Sequence, residues 1–284
     1  MIKPEKLHFA TAGIPLAVKK KGYIEGLKYN LERGITGMEI EFVHGVKIKN
    51  EYVPQIKEFA EQNNMLITAH GPYYINLNAV EEEKIEASKI RILDTARKAL
   101  ECGGYSITFH AGFYLGQDPD KVYKCIKIAL EDIIQTLKSE NIKIWVRPET
   151  TGKATQFGSL DELIRLSKEI DMVMPCVDFS HMHARVNGLN GYDNFAKTLE
   201  TLGNELGEKA LKNFHGHVAG IEYSAKGEKR HLNLNDSDLK YKELLKALHD
   251  FEVTGTIICE SPNIEEDTQL LATDYSKLAQ CGKR

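Results

Sequence analysis

Three of the chain's ten histidines fall within 17 residues of the stretch "NFHGHVAGIEYSAKGEKRHLNL" (213–234). His215 and His217 alternate as strand neighbours do, and His231 follows a Gly- and Lys-rich loop. Grouped imidazoles are metal-ligand chemistry, and such a site usually takes carboxylates as well. The acidic residues at hand are Glu222 and Glu228.

Further donors stand at the ends of short apolar runs. "MEIEF" (38–42) carries Glu39 and Glu41. "LITAH" (66–70) ends in His70, "SITFH" (106–110) in His110 and "IKIWVRPE" (142–149) in Glu149. "MVMPCVD" (172–178) ends in Asp178 and "TIICE" (256–260) in Glu260. Together with "LHFA" (7–10) and "NFHGHV" (213–218), these runs are rich in β-branched and aromatic residues and bounded by turn residues, which predicts strands.

The stretches between them read as helices. Over 122–137, Val122, Cys125, Ile126, Ala129, Leu130, Ile133 and Leu137 share one face. Ser159 and Glu162 form a capping-box pattern at the start of 159–170, and 241–251 repeats the periodicity.

Eight strands alternating with helices over 284 residues predict an α/β fold, a single (β/α)8 TIM barrel spanning 1–284. A doubly wound sheet is disfavoured, since no Gly-rich dinucleotide fingerprint follows the first strand. In such a barrel the C-terminal strand ends converge on one mouth, where active sites sit. Carboxylates and imidazoles gathered there need pairing or a metal, and their types suit Zn²⁺, Mn²⁺ or Fe²⁺. His215 and His217, two apart on a strand, face the same way. His217 is nearer the mouth and is the better ligand; His215 lies one layer deeper and reads as a hydrogen-bonded interior residue.

Composition narrows the partners. A net charge of −4 gives no global attraction to nucleic acid, so any such contact must be local. Lys19, Lys20 and Lys21 offer one candidate loop. No apolar run approaches the ~20 residues of a membrane span, and the charged start "MIKPEKLHFA" does not read as a signal peptide. Five scattered cysteines without a CxxC pair read as reduced thiols. The expectation is a cytoplasmic monomer with no membrane association.

Read with their neighbours, the strand ends resemble the endonuclease IV family of AP endonucleases, within the xylose-isomerase-like barrels. "HGPYYINL" (70–77), "HAG" (110–112), "PETTGKATQFGS" (148–159), "VDFSHMHAR" (177–185) and "ESPN" (260–263) are similar to its motifs in order along the chain. The resemblance implies a trinuclear zinc site. His70 and His110 would hold the first metal, with Glu149 bridging to the second. Asp178, His217 and Glu260 would complete the second, and His181 and His231 would hold the third. Manganese is an alternative to zinc.

The implied activity is hydrolysis of the DNA phosphodiester 5′ to an abasic site, leaving a 3′-hydroxyl, as in base excision repair. Glu149 and Glu260 would hold and orient the nucleophile. Double-stranded DNA is the implied partner, and Tyr73 and Tyr74 would enter the base stack. His183, two after His181 and expected in a loop, could face phosphate or solvent; Arg185, Lys229 and Arg230 are further candidate DNA contacts.

The pattern departs from the family at one point. The family's third metal is usually held by Asp-x-His, but here Lys229-Arg230-His231 stands instead. Glu228 or Glu222 could substitute. Two other functions compete. The set Glu149, Asp178, His217 and Glu260 alone resembles a single-metal sugar isomerase or epimerase. The lysine also leaves room for a lesion-binding protein without turnover.

Overall fold

A computed structural model describes residues 4–19 and 22–281; Lys20 and Lys21 of the candidate basic loop lie outside the described residues. The expected apolar runs form the strands β1 (Leu7–Ala12), β2 (Gly37–Glu41), β3 (Leu66–His70), β4 (Ser106–Phe109), β5 (Trp145–Pro148), β6 (Val177–Asp178), β7 (Phe214–Val218) and β10 (Gly255–Cys259). Between β7 and β10 the chain adds β8 (Gly220–Ser224) and β9 (Gly227–Leu232). The helices are α1 (Tyr23–Glu32), α2 (Val53–Gln62), α3 (Glu82–Glu101), α4 (Pro119–Ser139), α5 (Leu160–Glu169), α6 (Phe179–Val186), α7 (Tyr192–Leu206), α8 (Glu208–Leu211), α9 (Tyr241–Asp250) and α10 (Glu265–Cys281).

Eight strands form one parallel sheet in the order β5-β4-β3-β2-β1-β10-β7-β6. Its two edges meet. Val146 bridges Val173 and Glu149 bridges Cys176, and the Cys176 N–H donates to the Pro148 carbonyl at 3.0 Å. The sheet is thus closed into an α/β TIM barrel. The expected strand 172–178 is regular only at Val177–Asp178; Pro175, inside it, has no N–H to give to a ladder.

Helices pack outside the barrel on apolar faces. α4 buries Val122, Ile126, Ala129, Leu130, Ile133 and Leu137, while Cys125, expected on that face, is half-buried. The Ser159–Glu162 capping box forms at the start of α5. Inside the barrel the buried side chains are polar and bonded to one another: Glu39 to Thr68, and Ser106 to His215 and Arg147. Among the described residues, no helix is long and apolar enough to cross a membrane.

Two segments differ from the sequence reading. The 220–232 stretch, expected as a loop, is an antiparallel hairpin whose register slips between Glu222 and Tyr223. His183, expected in a loop, lies on α6.

Candidate metal centre at the barrel mouth

Parallel strands and short connections bring the expected donors to one place. They form three overlapping groups: His70, His110 and Glu149; Glu149, Asp178, His217 and Glu260; and Asp178, His181 and His231. In each group, one donor atom per residue lies within 4.8 Å of the others. His70 ends β3, while His110, Glu149 and Glu260 each follow their strand by one residue. All eight residues singled out from the sequence meet.

The spacings suit a shared cation. His70 Nε2 stands 3.2 Å and His110 Nε2 3.4 Å from Glu149 Oε2. His217 Nδ1 is 3.4 Å from Glu260 Oε1 and 3.5 Å from Glu149 Oε1. The Nε2 atoms of His181 and His231 face each other at 3.3 Å. Donors ~2.0–2.1 Å from a tetrahedral metal stand roughly 3.3–3.4 Å from one another. Several of these atoms, Glu149 Oε1, Asp178 Oδ2 and His217 Nδ1, are buried without a hydrogen-bond partner. Buried polar atoms are rarely left so unless something else satisfies them. The donor set therefore fits divalent cations.

Local structure aims the ligands. Asp178 is the N-cap of α6, and its Oδ1 accepts from the His181 N–H at 2.7 Å. One carboxylate oxygen is thus used for capping, and the other is left toward the cluster. On a helix, residues two apart point in nearly opposite directions. His181 therefore faces the mouth and His183 does not. The expected contact of His183 with phosphate or solvent is corrected on this ground. His183 is buried, with Nε2 3.1 Å from Asp238 Oδ1. Arg185 is corrected likewise. Its Nη1 donates to the Thr151 hydroxyl at 2.8 Å and to the Lys153 and Gln156 carbonyls, which makes it a clamp on that loop.

A carboxylate also stands beside the His181–His231 pair. Glu228 Oε2 lies 3.6 Å from His181 Nε2. Strand residues three apart normally face opposite ways. The register slip pairs Tyr223 with Glu228 but Glu222 with Arg230, so Lys229 is the extra, bulged residue. One inserted residue restores Glu228 and His231 to a common face. Glu222 is engaged elsewhere, 3.2 Å from Lys229 Nζ and 2.8 Å from Arg230 Nε. Glycine makes the room: a Cβ on Gly152 would come within 2.6 Å of Glu228 Oε2.

Charge in the mouth is strongly coupled. Burial opposes ionisation of Glu149, but His110 and His217 overcome it and hold the carboxyl well below its usual range. Burial likewise opposes a charged His70, yet Glu149 raises its pKa to about 10. His181 is raised by Asp178 and Glu149 against the same burial. Carboxylates that hold buried imidazoles protonated make a field that favours cations, and a metal entering must displace those protons.

Two acidic residues were seen in the sequence without a role. Glu39 and Glu41, two apart on β2, both face inward. Glu39 lies beneath the mouth, 2.9 Å from both His215 Nε2 and His217 Nε2. These imidazoles overcome burial and hold its carboxyl below the usual range. Glu41 lines the mouth cavity of about 420 Å³ with His70, Tyr73, His110, His181, Glu228 and Glu260. Burial pushes its pKa up to about 8. The alternating Glu-x-Glu was the signal. His215 sits in the interior as expected, with burial lowering its pKa to about 4. Cys176, His215 and His217 also converge. Burial raises the Cys176 thiol to about 12, so it is not a ready thiolate ligand.

A model of the xylose isomerase-like TIM barrel family matches residues 28–281. The chain belongs to this family. An uncharacterized protein of Methanocaldococcus jannaschii is 44% identical over 273 residues, which covers 96% of this chain and 98% of that one. The apurinic-apyrimidinic endonuclease 1 of Plasmodium falciparum is 25% identical over 241 residues; the match spans 81% of this chain but 40% of that longer protein. Among solved structures, endonuclease IV from Thermus thermophilus superposes with a TM-score of 0.72 at 17% identity, covering 96% of this chain and 99% of that one. A D-tagatose 3-epimerase-like protein superposes at 0.74 and 17% identity, covering 98% and 100%. At these identities the superpositions establish the xylose isomerase-like fold, which nuclease and epimerase relatives share.

The barrel's outer rim carries further expected residues. Tyr73 and Tyr74, after β3, are 69% and 60% exposed. Lys229 and Arg230 are exposed on the hairpin, each paired with Glu222.

Proposed function

We propose that the chain is a multinuclear metal-dependent nuclease that cleaves DNA 5′ to an abasic site and leaves a 3′-hydroxyl. The observation that carries this reading is the number of convergent donors. Glu149, Asp178, His217 and Glu260 would be enough for one metal. His70, His110, His181, His231 and Glu228 are surplus to a single-metal sugar isomerase, and they would make two more sites around the first.

His70, His110 and Glu149 would hold one ion, Glu149, Asp178, His217 and Glu260 a second, and His181, His231 and Glu228, beside Asp178, a third. Bound zinc or manganese supplies positive charge that polarises a phosphodiester and makes water acidic enough to ionise near neutral pH. Glu149 and Glu260, which flank His217, would accept hydrogen bonds from the attacking water and fix its direction. Tyr73 and Tyr74 stand where exposed aromatic rings could fill the gap left by a displaced nucleotide. The exposed Lys229 and Arg230 are candidate backbone contacts.

Glu41 favours a second reading. A carboxyl facing the mouth suits the hydroxyls of a free sugar better than a phosphodiester, and epimerase-like barrels share the fold. One preparation separates the two. Metal-loaded protein is incubated with a duplex bearing one tetrahydrofuran residue, and in parallel with ketohexoses. The nuclease reading predicts a single nick 5′ to the lesion and no epimer. Epimer without a nick supports the second reading, and binding to the lesion duplex without a nick supports a non-cleaving role.

A further inference from the structure

Beneath the mouth, a chain of buried polar groups runs from the barrel floor to one proposed metal ligand. Arg147, fully buried on β5, donates through Nε to Ser106 Oγ at 2.8 Å; its Nη1 donates to the Pro175 carbonyl at 2.9 Å and its Nη2 to the Asn213 carbonyl. Ser106 Oγ is 2.9 Å from His215 Nδ1. His215 Nε2 is 2.9 Å from Glu39 Oε2, and Glu39 Oε1 is 2.9 Å from His217 Nε2. Thr68 Oγ1 also donates to Glu39 Oε2, at 2.7 Å. Both imidazole–Glu39 contacts lie off the ring N–H direction, so they act as close charge contacts rather than aligned hydrogen bonds.

The chain has a direction. A guanidinium can only donate. Ser106 accepts from Arg147 and is free to turn its own proton to His215 Nδ1, the arrangement a carboxylate at His215 Nε2 favours. That leaves the His215 proton on Nε2, facing Glu39. An ionised carboxylate can only accept, so its close contacts with the two rings favour a proton on each Nε2. The His217 tautomer favoured with a cation bound then carries its proton on Nε2 and leaves Nδ1, which faces Glu149 and Glu260, as the ligand atom.

We propose that Glu39 is a positioning residue that fixes the tautomer and tilt of His217, and that Arg147, Ser106 and His215 orient Glu39 in turn. The inference rests on the metal site proposed above. A histidine ligand is commonly held this way by a carboxylate on its far nitrogen, and losing such a partner costs about 10- to 100-fold in metal affinity. Glu39 lies against the far nitrogen of His217 and does not line the mouth cavity, so its effect is exerted through His217.

The test uses zinc-loaded wild type, Glu39→Gln and Ser106→Ala. Zinc affinity and stoichiometry are measured by chelator competition, and the His217 tautomer by nitrogen-15 NMR of the imidazoles. Wild type is expected to show a protonated Nε2 and a zinc-shifted Nδ1 at His217. Glu39→Gln should weaken the zinc site containing His217 by about 10- to 100-fold, while the His70–His110 site keeps its affinity, which also shows that the barrel has folded. Ser106→Ala should weaken the same site by less. Wild-type affinity in Glu39→Gln, or a His217 protonated on Nδ1 in zinc-loaded wild type, overturns the proposal while leaving the metal reading intact. A wild type that takes up no zinc overturns both.

Discussion

At the scale of single residues, several donors at the mouth have their other atom already engaged. Asp178 uses one oxygen to cap α6, and His231 turns Nδ1 to the Glu260 carbonyl at 3.2 Å. On the proposed metal reading, Glu228 rather than Lys229 would complete the third site. Glu228→Gln is expected to remove about one equivalent of bound metal, whereas Lys229→Ala should leave the stoichiometry unchanged; elemental analysis of the purified variants decides. A second residue-scale prediction concerns His8, buried on β1 with Nδ1 3.1 Å from the Thr36 carbonyl. Burial lowers its pKa to about 4. Between that value and the unfolded value near 6.5, the unfolded chain binds the proton and the folded one does not. Stability is therefore present above pH 6.5 and lost as pH falls toward 4. Relative to His8→Gln, wild type should lose about 2 kcal/mol between pH 7 and pH 5 in urea unfolding. Parallel curves would show that His8 does not titrate in this way.

At the scale of elements, much of the arrangement was legible in the sequence. Seven of the eight strand runs ended in or carried a donor, and period two sorted His217 from His215 without coordinates. What was not legible has physical causes. The hairpin of β8 and β9 hides in a charged stretch with little apolar alternation, so it reads as a loop. Its bulge is a property of pairing between two strands, not of either strand alone. The orientation of His183 depended on Phe179–Val186 being a helix, and that helix is capped by a residue first read as a strand end. The bulge carries a prediction. Deleting Lys229 turns Glu228-Lys-Arg-His231 into a Glu-x-His spacing, in which both side chains share a face of a regular strand. The deletion protein should keep its third metal. If it loses that metal while Lys229→Ala keeps it, the bulge does more than absorb one residue.

At the scale of the whole molecule, closing the barrel brings together carboxylates and imidazoles that are far apart in sequence, and it buries them. That arrangement is costly unless cations offset it. Metal removal should therefore destabilise the fold. At concentrations 100-fold above Kd, each ion adds ~2.7 kcal/mol, so stripping the protein with a chelator should lower Tm by roughly 5–10 °C per site. Refilling should release protons, because imidazoles such as His70 must give theirs up. The measurement that tests the central claim most directly joins occupancy to chemistry: zinc is titrated into stripped protein while cleavage of a tetrahydrofuran-containing duplex is followed. Two to three tightly bound equivalents are expected, with nicking 5′ to the lesion beginning only as the second site fills. Saturation at a single equivalent, or full occupancy with the duplex intact, would contradict that claim.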